Sequence, residues 1–122
     1  MNEKEDRIFR QLEGYAKYGV GIRSSRHAAA IVHKNKIIAR GRNSYKTHPA
    51  MKLWGKNSRS LCLHAEIAAI IEFIKNYPPQ FASKCDLYVL RLNKKNEVCE
   101  SKPCKGCQKA IDFYKFNKVV WT

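Results

Sequence analysis

Between residues 4 and 18, Ile8, Phe9, Leu12, Tyr15 and Ala16 recur at three- and four-residue intervals among charged neighbours. That stripe predicts an amphipathic opening helix. The period then changes. HAAAIVH and KIIARGRNSY flank Lys34-Asn35 and predict a β-hairpin, with Gly41 marking a bulge or a bend. Helical spacing returns at Leu63, Ile67, Ile70, Ile71 and Ile74, a buried stripe that runs to about Asn76, where Pro78 and Pro79 stop it. DLYVLRL, from Asp86, reads as a third strand, and the polar stretch from Lys94 to Glu100 as an excursion. QKAIDFYKF predicts a short helix burying Ile111, Tyr114 and Phe113, and KVVWT a last strand. Strand, strand, helix, strand, helix, strand requires a sheet with crossover helices, hence an α/β layer sandwich. No repeat, linker or low-complexity segment interrupts the pattern, so residues 1–122 read as a single domain.

Two polar groups break the apolar run LCLHAEIAAI. His64 and Glu66 lie off the stripe, and residues two apart in mid-helix point about 200° away from each other. They can converge only at a helix entry, where free backbone N–H groups make a mildly positive end. A matching feature follows in KPCKGCQKAI, where Cys104 and Cys107 have the two-residue gap of zinc sites and redox motifs. Pro103 fits a helix start, so both thiols also sit where a helix dipole favours the thiolate. One histidine and two cysteines supply three ligands, and zinc prefers four, which leaves a position for water as in catalytic sites. Glu66 would stand beside that water and move its protons. A closed site that added Cys62 would leave Glu66 without a purpose. Cys62, Cys85 and Cys99 therefore read as small neutral residues, and His27 and His33 as sheet residues.

His64-Ala65-Glu66 followed by Pro103-Cys104-Lys105-Gly106-Cys107 resembles the signature of the zinc-dependent cytidine and deoxycytidylate deaminase superfamily, whose pattern and roles are general knowledge of these enzymes. The resemblance covers nearly the whole chain and implies a three-layer α/β/α sandwich with a mixed sheet of about four strands. It implies Zn2+ on His64, Cys104 and Cys107, Glu66 as the catalytic proton carrier, and hydrolytic replacement of a ring amino group by a carbonyl. Backbone N–H groups at Ala65 and Cys104 would orient substrate. An asparagine at the place of Asn43 commonly contacts the sugar or base in this family, and the backbone at the place of Ser101 often reads the exocyclic amine. Histidine in the first motif is similar to the deoxycytidylate and nucleic-acid branches, whereas free-cytidine deaminases usually carry cysteine there. The whole looks most like small phage-borne deoxycytidylate-type enzymes. Family members often continue with a further strand and helices, so a second copy of the chain, or the substrate itself, is expected to complete the pocket wall.

Charge narrows the partners. With 24 Lys and Arg against 10 Asp and Glu, the formal net charge is +14, which steers anionic ligands. Arg23, Arg26, Arg40, Arg42, Lys46, Lys52, Lys56 and Arg59 gather in the segments that lead into the HAE helix, as a phosphate-binding surface would. His48 and Trp54, in the long segment SYKTHPAMKLWGKNSRS, offer stacking or phosphate contact at the pocket mouth. An anionic nucleotide is the first reading of the substrate. Cytosine or adenine in single-stranded nucleic acid or tRNA is the second, and a catalytically silent zinc-stabilised nucleic-acid-binding module the third, which the intact Glu66 disfavours. The polar N-terminus, the absence of a long apolar run and the odd number of cysteines, 5, fit a cytoplasmic protein with no membrane partner.

Overall fold

A computed structural model of the chain describes residues 2–17, 26–44 and 64–122. The amphipathic opening segment forms α1 (Glu3–Lys17). After it come β1 (Arg26–His33), β2 (Lys36–Arg42), α2 (Ala65–Asn76), a 3-10 helix (Pro79–Lys84), β3 (Asp86–Leu92), β4 (Val98–Cys99), α3 (Lys105–Tyr114) and β5 (Lys118–Trp121). Lys34 and Asn35 both have positive φ, 49° and 66°, the two-residue turn whose twist suits a hairpin. β2 and β3 flank β1, both antiparallel to it. β5 runs parallel to β3 along Asp86–Val89, while β4 pairs antiparallel with Arg91 and Leu92. The sheet is therefore mixed, as expected, and has one strand more than the hydrophobic pattern shows. β4 is two residues long inside a polar stretch, too short to leave a periodic signal.

Alternation along the strands builds the layers. Ala28, Ala30 and Val32 of β1 join Tyr88, Leu90 and Leu92 of β3 under Ile8, Phe9, Leu12 and Ala16 of α1. Their neighbours Ala29, Ile31, Leu87 and Val89 face the other way, against Ile67, Ile70 and Phe73 of α2 and Cys107, Ala110 and Ile111 of α3. A strand covered on both faces loses its polar alternation, which is why HAAAIVH is apolar almost throughout. The inward line of α2 departs from expectation at its end. Ile74 is 42 % exposed; Phe73 fills the core instead, its ring centroid 5.3 Å from Tyr77 and 6.3 Å from Phe81 of the 3-10 helix. On α3, Phe113 lies beside the buried Cys107–Ala110–Ile111 line and is 66 % exposed.

Gly41 marks neither a bulge nor a bend. It sits in register opposite Ala29, and the irregularity in the ladder lies between Ile31 and Val32, where Ile38 of β2 is the extra residue. What requires glycine at 41 is the helix above it: a Cβ there would collide with the backbone N of Ala69, the Ala68 Cβ and the Ala65 carbonyl oxygen. The first turns of α2 lie on the backbone of β2, and that contact sets the height of His64 and Glu66 above the sheet. Gly41→Ala should therefore destabilise the fold by about 2 kcal/mol or more, since the neighbouring atoms are mostly backbone and cannot turn aside. Thermal denaturation checks this, and an unchanged melting temperature would show that α2 rides higher than described.

Candidate active site

Both halves of the site begin where a helix begins. His64 is the N-cap of α2 with φ −80° and ψ 150°, and Cys104 the N-cap of α3 with φ −70° and ψ 170°. An N-cap residue is extended, so its side chain is free of the helical twist and can share a target with groups two or three residues on. Here the targets coincide. His64 Nδ1 lies 3.2 Å from Cys107 Sγ and 3.5 Å from Cys104 Sγ. The three ligand atoms all fall within 4.8 Å of one another, a group able to hold a metal ion. Sulfur and nitrogen on one tetrahedral zinc, at about 2.3 and 2.0 Å from it, would be about 3.5 Å apart. The donor set and its spacing fit that ion.

Electrostatics favour the same conclusion. Hydrogen bonds from Cys107 and then from His64 pull the Cys104 thiol down to about 3, which favours the thiolate. Cys107 is pushed up, first because its proton is engaged by Cys104 and then by burial. His64 is raised, chiefly by its hydrogen bond to Cys104. These thiols and the imidazole share protons that a cation would displace.

Glu66, on the first turn of α2, is 4 % exposed. Its Oε1 is buried and makes no hydrogen bond among the described residues. Burial raises its pKa, against the opposing pull of its own backbone N–H and of His64. A buried carboxyl with an unpartnered oxygen is costly to keep unless something else comes to meet it.

Beside these groups lies a cavity of about 190 Å³, lined among the described residues by His27, Asn43, His64, Glu66, Ser101, Lys102 and Cys104. Larger hollows exist, one of about 410 Å³ near Pro79 and Phe113, but it is lined by no group of the metal cluster. Asn43 exchanges two hydrogen bonds with the backbone of His27, donating from its N–H to the carbonyl at 3.2 Å and accepting at Oδ1 from the His27 N–H at 3.0 Å. The Ser101 hydroxyl is engaged in the fold: it donates to the Val89 carbonyl at 2.8 Å and accepts from the Thr122 N–H at 2.9 Å. Ala65 is fully buried as the first residue of α2.

The structure thus brings together His64, Glu66, Cys104, Cys107, Asn43 and Ser101. Arg40 and Arg42 are not among the cavity-lining residues; their guanidinium groups lie 4.3 and 4.4 Å from the centre of the Tyr15 ring of α1. His48, Trp54, Lys52, Lys56 and Arg59, with Arg23, Lys46 and Cys62, lie outside the described residues. Sequence reasoning missed His27 and Lys102 as pocket residues. For His27 a signal existed, since it has the parity of Ala29 and Ile31, the β1 residues that face α2.

Residues 2–122 match the family described as the cytidine and deoxycytidylate deaminase zinc-binding region. No curated protein matches the sequence. The fold is similar to that of dCMP deaminase from the cyanophage S-TIM5 in apo form, with 19 % identity, 99 % of this chain and 84 % of that one covered, and a TM-score of 0.65. The same cyanophage enzyme in complex with dCMP and dUMP is similar at 19 % identity, with 99 % and 82 % covered and a TM-score of 0.64. Guanine deaminase from Bacillus subtilis is similar at 24 % identity, with 100 % of this chain and 64 % of that one covered and a TM-score of 0.61.

Loss of one ligand should empty the metal site. His64→Ala and Cys107→Ala are each expected to lower zinc content from about one equivalent per chain to near zero, with reduced stability, because the ion joins two helix starts. Elemental analysis with thermal denaturation measures both; full zinc content in both variants would rule out the ligand set.

Proposed function

The chain belongs to the cytidine and deoxycytidylate deaminase family and is a zinc-dependent deaminase, and we propose that its substrate is a cytosine nucleotide of the deoxycytidylate type. The observation that carries the chemical part of this reading is the meeting of Glu66, buried with an unpartnered Oε1, with the His64–Cys104–Cys107 cluster at one cavity. His64, Cys104 and Cys107 would hold the zinc. When bound, the ion supplies a Lewis acid that makes water a nucleophile near neutral pH.

The chain's own groups do the rest. Glu66 accepts a proton as the water oxygen bonds to the amine-bearing ring carbon, delivers it to the adjacent ring nitrogen, and then takes the second proton from the new hydroxyl and passes it to the departing amine. The C–N bond breaks, ammonia leaves, and the ring carries a carbonyl. A carboxyl raised by burial suits this alternation, because it must hold and release protons within one turnover. The backbone N–H groups at the two helix starts, Ala65 and Cys104, orient the ring and meet developing negative charge. Asn43 contacts the sugar or the base, and the Ser101 backbone reads the amine.

For the nucleotide, support comes from the histidine at position 64 and from the likeness to the cyanophage enzyme, whose structure holds dCMP and dUMP. Lys102, exposed on the cavity rim, offers a cation to a phosphate. Single-stranded nucleic acid is the second reading, favoured by the net charge of +14. Cys85, Cys99, Cys104 and Cys107 form no disulfide among the described residues, which suits a reducing compartment such as the cytoplasm, and no helix among the described residues is long and apolar enough to cross a membrane.

Two measurements test this reading. Glu66→Ala should retain zinc and fold while kcat falls by about 10³-fold or more, the range for removing a general acid–base group; zinc loss in that variant would show that Glu66 is a ligand. A panel of cytosine, adenine and guanine nucleotides, free nucleosides, single-stranded DNA and tRNA, scored by ammonia release at several salt concentrations, identifies the substrate. Deoxycytidylate should be preferred, with a shallow dependence on salt because one phosphate group is held. Turnover of an oligonucleotide with a steep salt slope, and none of the mononucleotide, would favour the second reading.

A further inference from the structure

β1 carries two histidines of the same parity, and the fold treats them differently. His33, near the turn, packs its ring 4.7 Å from Phe81 and places Nδ1 3.2 Å from the Lys84 carbonyl oxygen, so it is absorbed by the 3-10 helix. His27 lies at the opposite end of the strand, six residues earlier, where the cavity opens. Alternation gives it the same side of the sheet as Ala29 and Ile31, which face α2 and α3, so its side chain emerges under the two helix starts. Its backbone is clamped by Asn43 through two hydrogen bonds, and no hydrogen bond ties its ring to another described residue. The imidazole is half-buried in the cavity wall.

Two of the described cavity-lining residues carry rings, His27 and His64, and the metal cluster claims His64. Asn43, Glu66, Ser101, Lys102 and Cys104 present no flat apolar surface. A heteroaromatic substrate gains most from a planar partner; the ring plane of His64 is set by the metal it would hold, and His27 is the other cavity-lining ring among the described residues, with no hydrogen bond to fix it.

We propose that His27 is a specificity-determining residue that touches the substrate, its imidazole forming the strand-side wall on which the heterocycle packs. This inference rests on the deaminase reading of the same cavity and adds to it the group that holds the ring in place while Glu66 acts. Rigidity follows from the backbone: the strand and the Asn43 clamp fix the Cα, and two side-chain torsions aim the ring.

The test uses zinc-loaded protein and whichever base the wild type turns over best. His27→Ala should raise KM about tenfold, the scale of one base packed on one ring, with kcat changed by less than about threefold and with zinc content and melting temperature unchanged. His27→Phe, which keeps a planar ring and removes both nitrogens, should bring KM back to within about threefold of wild type. In the wild type, the imidazole proton resonances of His27 should shift on addition of the same nucleotide. An unchanged KM in His27→Ala, or no restoration in His27→Phe, would overturn the role of His27 while leaving the deaminase reading intact. So would loss of zinc or of thermal stability in both variants, because the residue would then be structural. A wild-type enzyme that deaminates no base in the panel would overturn the deaminase reading, and this role with it.

Discussion

The metal cluster and the carboxyl beside it depend on two helices starting at one point. His64 and Cys104 are both N-caps, and Glu66 and Cys107 follow them by two and three residues. His64 and Glu66 would diverge inside a regular helix, two steps of about 100° apart, whereas Cys104 and Cys107, three apart, stay neighbours on one face. At the entry His64 and Glu66 can converge, because the cap residue is still extended. The sheet makes the coincidence possible: α2 lies over β1 and β2, α3 follows β3 and precedes β5, and both lie on the face lined by Ala29, Ile31, Leu87 and Val89. Small residues set the distance. Gly41 admits the backbone of α2, and Ala29, Ala39 and Ala69 are wholly or nearly buried between helix and sheet.

Within that frame the ionisable groups divide by environment. Cys104, Cys107 and His64 face one another and exchange hydrogen bonds, the behaviour of ligands that lack only a cation. Glu66 is buried, as Cys107 is, but has an oxygen with no described partner. That is the difference between holding an ion and working beside it. The Ser101–Thr122 network braces the other wall: Thr122 donates from Oγ1 to the Cys99 carbonyl at 2.7 Å, and Ser101 is pinned to Val89 of β3. The segment that delivers Pro103 and Cys104 is thereby fastened to the same sheet that carries His27.

Much of the fold was legible in the hydrophobic pattern. α1, the hairpin, α2, β3, α3 and β5 have enough length for their period to show, and the metal-ligand motifs stand at fixed spacing. Two kinds of feature were not. β4 is held by only two pairs on the edge of β3 and has no pattern of its own. Gly41 was read as a local irregularity, although its reason is tertiary: the helix that lies on it is more than 20 residues further along the chain. Ile74 and Phe113 have the right spacing for burial yet sit just off the inward line, where a small rotation decides between core and solvent. His27 was read as a sheet residue, which it is; what the sequence does not display is that its end of β1 is the one that opens on the site. Arg40 and Arg42 were expected on a phosphate surface; the fold places both guanidinium groups over the Tyr15 ring, a contact that charge counting does not reveal.

The coordination of the metal tests the account at its centre. X-ray absorption at the zinc edge of the purified chain should report two sulfur neighbours at about 2.3 Å and two lighter atoms at about 2.0–2.1 Å, one of them the His64 nitrogen and the other exchangeable. A third sulfur at the same distance would contradict it, because Cys62 would then close the shell and Glu66 would have nothing beside it to act upon.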